Sequence, residues 1–203
     1  MKSSAAQRNP APDGRHARSE RTRAAVAKAM LECFVAGSPR PTAEEIAARA
    51  GVSSRAVFRH FDNLETLREE VARQQVEQVS RVLPPIITAG TLAQKIDALV
   101  ANSACRNEMI APVRRAVIAT YPVSNQVRQR HAWLRRIVRK QIRKVFNNEL
   151  AVLPDKKRAQ RVAAIRTLLS FSYWNALREH EGLSHDAATQ ILREGLSALL
   201  GNV

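Results

Sequence analysis

The chain has 203 residues, with 33 lysines and arginines against 18 aspartates and glutamates and a formal net charge of +15. Hydrophobic residues make up 45% of it, enough to bury a core, and the basic balance favours a polyanionic partner. Two cysteines exclude a disulfide framework and a cysteine metal cluster, and no run of about 20 apolar residues could span a bilayer.

The first segment, residues 1–18, is rich in Ser, Pro, Ala and Gly and is predicted to be a disordered basic arm. It lacks the apolar core of a signal peptide, so we expect a cytoplasmic protein. A helix is predicted next, from Ser19 to Val35, because Val26, Met30 and Phe34 recur at every fourth position.

Twenty residues from Thr42 to Phe61, TAEEIAARAGVSSRAVFRHF, predict two short helices joined by a tight turn. Thr42 can cap the first helix while Glu45 returns a hydrogen bond to its amide, which makes a capping box. Gly51 stands at the end of this helix, where a left-handed backbone conformation favours glycine. This layout is typical of a helix-turn-helix.

The second of these helices has an inner and an outer face. Ser53 is its predicted N-cap, and Val57 and Phe61, four residues apart, are expected to face inward. The positions left on the outer side are Ser54, Arg55, Phe58 and Arg59. They are the candidates to touch the edges of DNA bases.

The segment from residue 19 to 68 resembles the DNA-binding domain of the tetracycline-repressor (TetR/AcrR-like) family of transcriptional regulators. The resemblance implies a DNA-binding set of Thr42, Ser53, Ser54, Arg55, Ala56, Phe58, Arg59 and His60. Arg55 is the leading candidate for base recognition, because a guanidinium can bond guanine O6 and N7 together. Phe58 replaces the family's usual tyrosine and Leu64 its usual lysine, which removes two expected phosphate contacts. Arg15 and Arg18 either belong to a solubilising tail or enter the minor groove.

Helical patterns continue beyond Phe61 without an alternating strand pattern, so the chain is predicted to be all-α. Asp62 and Glu65 predict a capping box for a helix that ends near Leu83, before two prolines. Five more helices are predicted at 91–105, 111–120, 124–150, 156–181 and 185–200. The predicted domains are a three-helix helix-turn-helix DNA-binding domain over residues 19–66 and a helical effector-binding and dimerisation domain over 67–203.

The resemblance also implies a mode of action. A homodimer, joined through the last two long helices, would place two DNA-reading helices on a near-palindromic operator, and an unidentified small-molecule effector would alter their spacing. The protein would then be a ligand-responsive regulator, most simply a repressor. Residues that could line an apolar effector pocket are Met109, Tyr121, Trp133, Tyr173, Trp174 and Arg178. The alternative for the aromatic members is ordinary core packing.

Other interpretations are kept as alternatives. Cys105 beside Arg106 would suit a redox-responsive DNA-binding protein, and a DNA-binding protein without any effector would need only the helix-turn-helix. The stretch from Arg128 to Lys144 contains no acidic residue; it is a solvated surface, an attraction for an anionic ligand or an added non-specific attraction for DNA. No catalytic arrangement, metal site or cofactor-binding motif stands out, so neither an enzyme nor a cofactor is predicted.

Overall fold

The computed structural model describes the backbone of residues 14–120 and 125–201, with their side chains except at residue 15 and at residues 117–134. These residues are mostly helical and none of them lies in a strand, which confirms the predicted all-α fold. The chain divides into two compact units between Gln75 and Val76. Within the described ranges, no helix has the length and apolar character needed to cross a membrane.

The N-terminal unit contains helices α1 (Gly14–Val35), α2 (Ala43–Ala50) and α3 (Ser54–His60) and the first part of α4 (Leu64–Val82). Its buried side chains include the apolar repeats that predicted the helices: Val26, Met30, Phe34, Ile46, Ala47, Val57, Phe61, Leu67 and Val71. Helix α1 begins five residues before the predicted Ser19, so residues 14–18 of the expected arm are helical. Residues 1–13 lie outside the described ranges.

The start of α4 differs from the prediction. Asn63, and not Asp62, caps this helix: its Oδ1 accepts the amides of Glu65 and Thr66, both at 2.9 Å. Thr66 reaches back toward the Asn63 amide at 3.5 Å, in the position that had been expected for Glu65. Asn and Asp are both good N-caps, and sequence alone does not fix which of two neighbours takes the role.

The C-terminal unit contains α5 (Leu92–Thr120), α6 (Asn125–Val145), α7 (Asn147–Ala151), α8 (Asp155–Leu168), α9 (Phe171–Asn175), a π-helical turn (Ala176–His180) and α10 (His185–Gly201). They surround one apolar core whose innermost side chains include Val100, Ile142, Phe146, Ile165, Trp174, Leu192 and Leu196. Helices α5, α6, α8, α9 and α10 all contribute side chains to this core.

Three predicted helix boundaries in this unit are wrong. The helices predicted at 91–105 and 111–120 are one continuous helix, α5, which includes Pro112. Proline removes a backbone donor, but its buried neighbours Ala111 and Val113 hold the segment against the core. The predicted helix 124–150 breaks at Phe146, whose ring is buried. The predicted helix 156–181 breaks before Ser170, whose side chain caps α9.

Candidate nucleic-acid interface

The turn between α2 and α3 has the predicted geometry. Thr42 Oγ1 accepts the Glu45 amide at 3.2 Å, and Glu45 Oε2 accepts the Thr42 amide at 2.7 Å, which completes the capping box. Gly51 ends α2 in the left-handed region at φ +67°, and Ser53 Oγ accepts the amide of Ala56 at 3.2 Å to begin α3. Helix α3 therefore leaves the turn in a fixed direction.

Helix α3 has one buried and one exposed face. Val57 is fully buried and Phe61, just beyond the helix, is nearly so, as predicted. Arg55, Phe58 and Arg59 are exposed. The ring of Phe58 is 49% exposed, which is unusual for a large apolar side chain and leaves it free to contact a thymine methyl group. The other predicted DNA-binding residues are exposed at Thr42 and Ser53 and half-buried at Ser54, Ala56 and His60.

The two arginines of α3 are free to meet an external partner. Within the part of the chain that the structure describes, neither Arg55 nor Arg59 forms an ion pair. They lie four residues apart, so they stand on neighbouring turns of the same helix face. A guanidinium at each position can bond a base edge or a phosphate.

His60 is placed differently from a simple phosphate ligand. Its ring nitrogen Nε2 is buried and has no hydrogen-bond partner among the described residues. Its backbone carbonyl, at the end of α3, accepts a hydrogen bond from Arg23 Nη1 at 2.8 Å. A phosphate contact from this histidine would therefore have to use Nδ1.

Arg23 of α1 holds the end of the recognition helix, and sequence reasoning did not identify it. Besides the bond to the His60 carbonyl, its guanidinium carbon lies 4.4 Å from the centre of the Phe61 ring. Its Nη2 lies 4.0 Å from Glu70 Oε2 on α4. The Arg23 side chain thus contacts the last residue of α3, the Phe61 ring that follows it, and α4. The only sequence signal was the unsatisfied carbonyl expected at any helix end.

Glu70 completes this arrangement from α4. Its carboxylate accepts Arg73 Nε at 3.0 Å and Nη2 at 2.7 Å, and Gln74 Nε2 at 2.8 Å. These contacts lower the pKa of Glu70 from 4.5 to about 2, with the Arg73 hydrogen bond as the largest cause and the charge of Arg23 contributing. The carboxylate that faces Arg23 is therefore ionised across the physiological range.

We expect Arg23→Ala to weaken operator binding by about tenfold without changing how affinity depends on salt. The change removes a charged hydrogen bond and a cation–π contact, a loss of about 1.5–3 kcal/mol in the stability of the N-terminal unit. Lys28→Ala, on the same helix, is the control, since the one ion pair of Lys28 within the described residues is with Glu32 of its own helix, at 3.6 Å. A salt slope flattened by about 0.9 would show that Arg23 instead touches a phosphate.

Glu70→Gln should flatten the pH dependence of stability. Because the pKa of Glu70 is lower in the folded state, its stabilising effect is present above pH 4.5 and is lost as pH falls toward about 2. The melting temperature of the unchanged protein should fall through this window more steeply than that of the variant. Glu69→Gln, an exposed neighbour, is the control. Equal profiles for all three proteins would contradict the contact.

The residues predicted for an effector pocket differ in their surroundings where the structure describes them. Trp174 is completely buried in the core, and Tyr173 packs half-buried against it. Met109 is partly exposed, and Arg178 is paired with Glu108 at 2.6 Å. The side chains of Tyr121 and Trp133 lie outside the described residues. Whether these six positions line one pocket stays a prediction.

A polar cluster beside the break between α8 and α9 was not predicted. The Leu169 carbonyl accepts Ser103 Oγ at 2.9 Å, Arg106 Nη2 at 3.0 Å and Asn107 Nδ2 at 3.4 Å, all from α5. Two further buried polar atoms, Asn107 Oδ1 on α5 and Trp174 Nε1 on α9, have no hydrogen-bond partner among the described residues. Buried polar groups of this kind usually require a partner.

The two cysteines have different surroundings. Cys33 is buried in the N-terminal unit, and burial raises the pKa of its thiol, which keeps it protonated and unreactive. Cys105 is half-buried, with its sulfur 4.0 Å from the Met109 sulfur. No group of three metal-binding side chains occurs among residues 14–120 and 125–201 where side chains are described.

Comparison with known proteins agrees with this geometry. Residues 25–71 match the family described as bacterial regulatory proteins, tetR family. No curated protein sequence matches the chain.

Two solved structures share the fold. A transcriptional regulator from Rhodococcus sp. Rha1 is 18% identical, with a TM-score of 0.66 over 91% of this chain and 96% of its own. A protein from Mesorhizobium loti MAFF303099, assigned to the TetR family of transcriptional regulators, is 19% identical, with a TM-score of 0.65 over 91% and 98%. The matched segment holds α2 and α3 complete, with their capping box, glycine turn and exposed arginines. Residues 25–71, which hold the helix-turn-helix, are therefore similar to the tetR family of bacterial regulatory proteins, and the chain shares the fold of the two solved structures.

Proposed function

We propose that this protein is a DNA-binding transcriptional regulator, a repressor that binds a near-palindromic operator as a homodimer, in the cytoplasm, and leaves it when a small molecule binds the C-terminal unit. The observation that carries the DNA-binding part is the exposed face of α3, where Arg55, Phe58 and Arg59 stand free above a buried anchor. In this proposal Arg55 reads a base, while Arg59 and Thr42 position the protein on the phosphates.

The test is selection of bound sequences from a random pool of duplex DNA. A dimer with two copies of α3 should select two inverted half-sites whose centres lie about 34–36 Å apart, one turn of the double helix. A single half-site, or no enrichment at all, would contradict the proposed dimeric readout.

The surface proposed for the dimer consists of small residues on α8 and α10. Larger apolar residues of these helices, such as Ile165 and Leu196, lie in the unit's own core. Exposed side chains on the two helices include Ala159, Ala163, Ala187 and Ala198. The helices pack closely at Gly195, where an added Cβ would lie 3.1 Å from Leu168 Cδ1. Small residues would let a second pair of helices approach closely.

We expect Ala163→Glu to convert the dimer into a monomer, because two like charges would meet near the symmetry axis without solvent. Sedimentation equilibrium measures the mass directly. Ala93→Glu, at an exposed alanine of α5, adds the same charge and should leave a dimer. If Ala163→Glu also stays dimeric, the partner surface lies elsewhere.

The effector proposal is supported by the polar cluster between α5 and α9. Asn107 Oδ1 on α5 lacks a donor and Trp174 Nε1 on α9 lacks an acceptor among the described residues, and the matching group of a bound polar molecule would satisfy either atom. Population shift would then link the two units, since α4 is one continuous helix with residues in each. The redox-responsive alternative has Cys105 as its sensor; loss of operator binding on oxidation, abolished by Cys105→Ser, would favour it.

A further inference from the structure

Helix α6 carries a row of exposed positive charges that the proposed function does not use. Arg135, Arg136, Arg139, Lys140, Arg143 and Lys144 are all exposed, and we call them the α6 cationic face. They occupy ten consecutive positions, or about 15 Å of helix. Arg135, Arg139 and Arg143 form one row with a spacing of four, and the other three cations form a parallel row.

The α6 cationic face has no internal counter-charge. None of its six residues forms an ion pair with any described residue. The sequence also contains no acidic residue between Glu108 and Glu149. Two other cations of the same unit are neutralised: Arg81 lies 2.5 Å from Glu77, and Arg193 lies 2.6 Å from Asp97.

This arrangement destabilises the free protein. Like charges four residues apart on a helix repel each other, and the face contains four such pairs. A helix tolerates this repulsion when packing holds it, and here Ile142 and Val145 are buried in the core. A bound polyanion would relieve this repulsion. The positive charges would attract the polyanion over a distance of several ångströms.

The chemistry of the face distinguishes among polyanions. Within residues 135–145 the apolar side chains Ile142 and Val145 are buried and Val138 is half-buried, so this part of α6 has little apolar surface to insert into lipid as a surface amphipathic helix does. Ile137, 42% exposed, is the one large apolar side chain exposed between residues 135 and 145, which is too little for the apolar centre of a protein interface. The exposed residues of that stretch include no aromatic ring for stacking single-stranded bases.

We propose that the α6 cationic face binds the phosphate backbone of double-stranded DNA, without reading sequence, at a site separate from α3. Four of its six residues are arginines, whose planar guanidinium groups bond phosphate oxygens in pairs. A duplex presents one negative charge per about 1.7 Å of its axis, so about nine phosphates lie along the length of the face. The contact does not require operator recognition by α3.

The expected effect is on the salt dependence of binding to random-sequence duplex DNA. In the full-length protein, Arg139→Gln with Arg143→Gln should flatten the slope of log affinity against log salt by about 1.8, if each cation contacts one phosphate. The loss of affinity at about 50 mM salt should then be roughly tenfold larger than the loss at about 200 mM. The preference for the selected operator over random DNA should not fall.

A control pair separates a local contact from net charge. Arg81→Gln with Arg193→Gln removes the same two charges from ion pairs and should leave the slope unchanged. Equal slopes for the two double variants would overturn the proposal.

Two further measurements test the site and the partner. The α6 substitutions should flatten the slope equally in a protein that already carries Arg55→Ala and Arg59→Ala; loss of the effect there would show that the face is no separate site. Vesicles containing phosphatidylserine test the lipid alternative. Vesicle binding that is lost in the α6 variant, with an unchanged slope on duplex DNA, would assign the face to membranes and overturn the proposal.

Discussion

Replacing Arg55 with alanine is expected to lower the affinity for the selected operator by about 1–3 kcal/mol and to relax the base preference at one position of each half-site. Arg55 is exposed on α3 and has no ion pair within the described residues, so its guanidinium is available to guanine O6 and N7. The measurement is a series of operators with each base pair changed in turn, titrated with both proteins.

Arg59→Ala is the matched control for this experiment, because it removes the same group from the next turn of α3. It should weaken binding to all operators alike and flatten the salt slope by about 0.9, as a phosphate contact does. If the two variants exchange these behaviours, the roles of the two arginines are reversed. If Arg55→Ala weakens all operators equally, Arg55 is a backbone contact.

Trp174→Ala is expected to have the largest effect on stability, about 3–5 kcal/mol, because it empties a large site in the core of the C-terminal unit. Trp174 is 0% exposed, and its ring lies edge-on to that of His185 at 5.5 Å between centres. Urea unfolding followed by circular dichroism measures the loss. A small effect would show that the site collapses on truncation or that the ring was not packed.

Two controls identify the source of this loss. Trp174→Phe keeps much of the buried volume and removes the unpaired Nε1, so it should cost far less than alanine. Tyr173→Ala, at the half-buried neighbour, should also cost less. If effector binding is instead the main role of Trp174, Trp174→Phe should abolish the response to effector while stability is retained.

The parts of the fold that depend on neighbouring residues could be predicted from sequence. The capping box of Thr42 and Glu45, the left-handed Gly51 and the Ser53 cap each follow from chemistry within four residues. The burial of Val57 and Phe61 follows from helix periodicity. For this reason most of the α2–α3 segment could be predicted, including the exposure of Arg55, Phe58 and Arg59, although Ser54 is half-buried.

The parts of the fold that depend on contacts between distant residues could not be predicted from the sequence. Arg23 meets the His60 carbonyl across 37 residues, and no local pattern indicates that contact. The break between α8 and α9 is stabilised by donors from α5, more than 60 residues earlier, on the Leu169 carbonyl. Helix α5 continues through Pro112 because tertiary packing outweighs the local preference.

The α6 cationic face lies between these cases. The positive charge of the face was evident in the sequence. Its lack of ion pairs became evident only in the structure, where Glu77, Asp97 and Glu108 pair with other cations. Each of those carboxylates is occupied by an arginine outside the face. The structure thus shows that the positive charges of this basic stretch have no acidic partner among the described residues.

The most direct test of the central claim, that α3 reads bases in the major groove, uses the selected operator with single guanines replaced by 7-deazaguanine. This base lacks only the N7 acceptor, which faces the major groove. We expect one replacement per half-site to weaken binding of the unchanged protein and to have no further effect on Arg55→Ala. Full affinity at every replaced guanine would contradict major-groove recognition by Arg55.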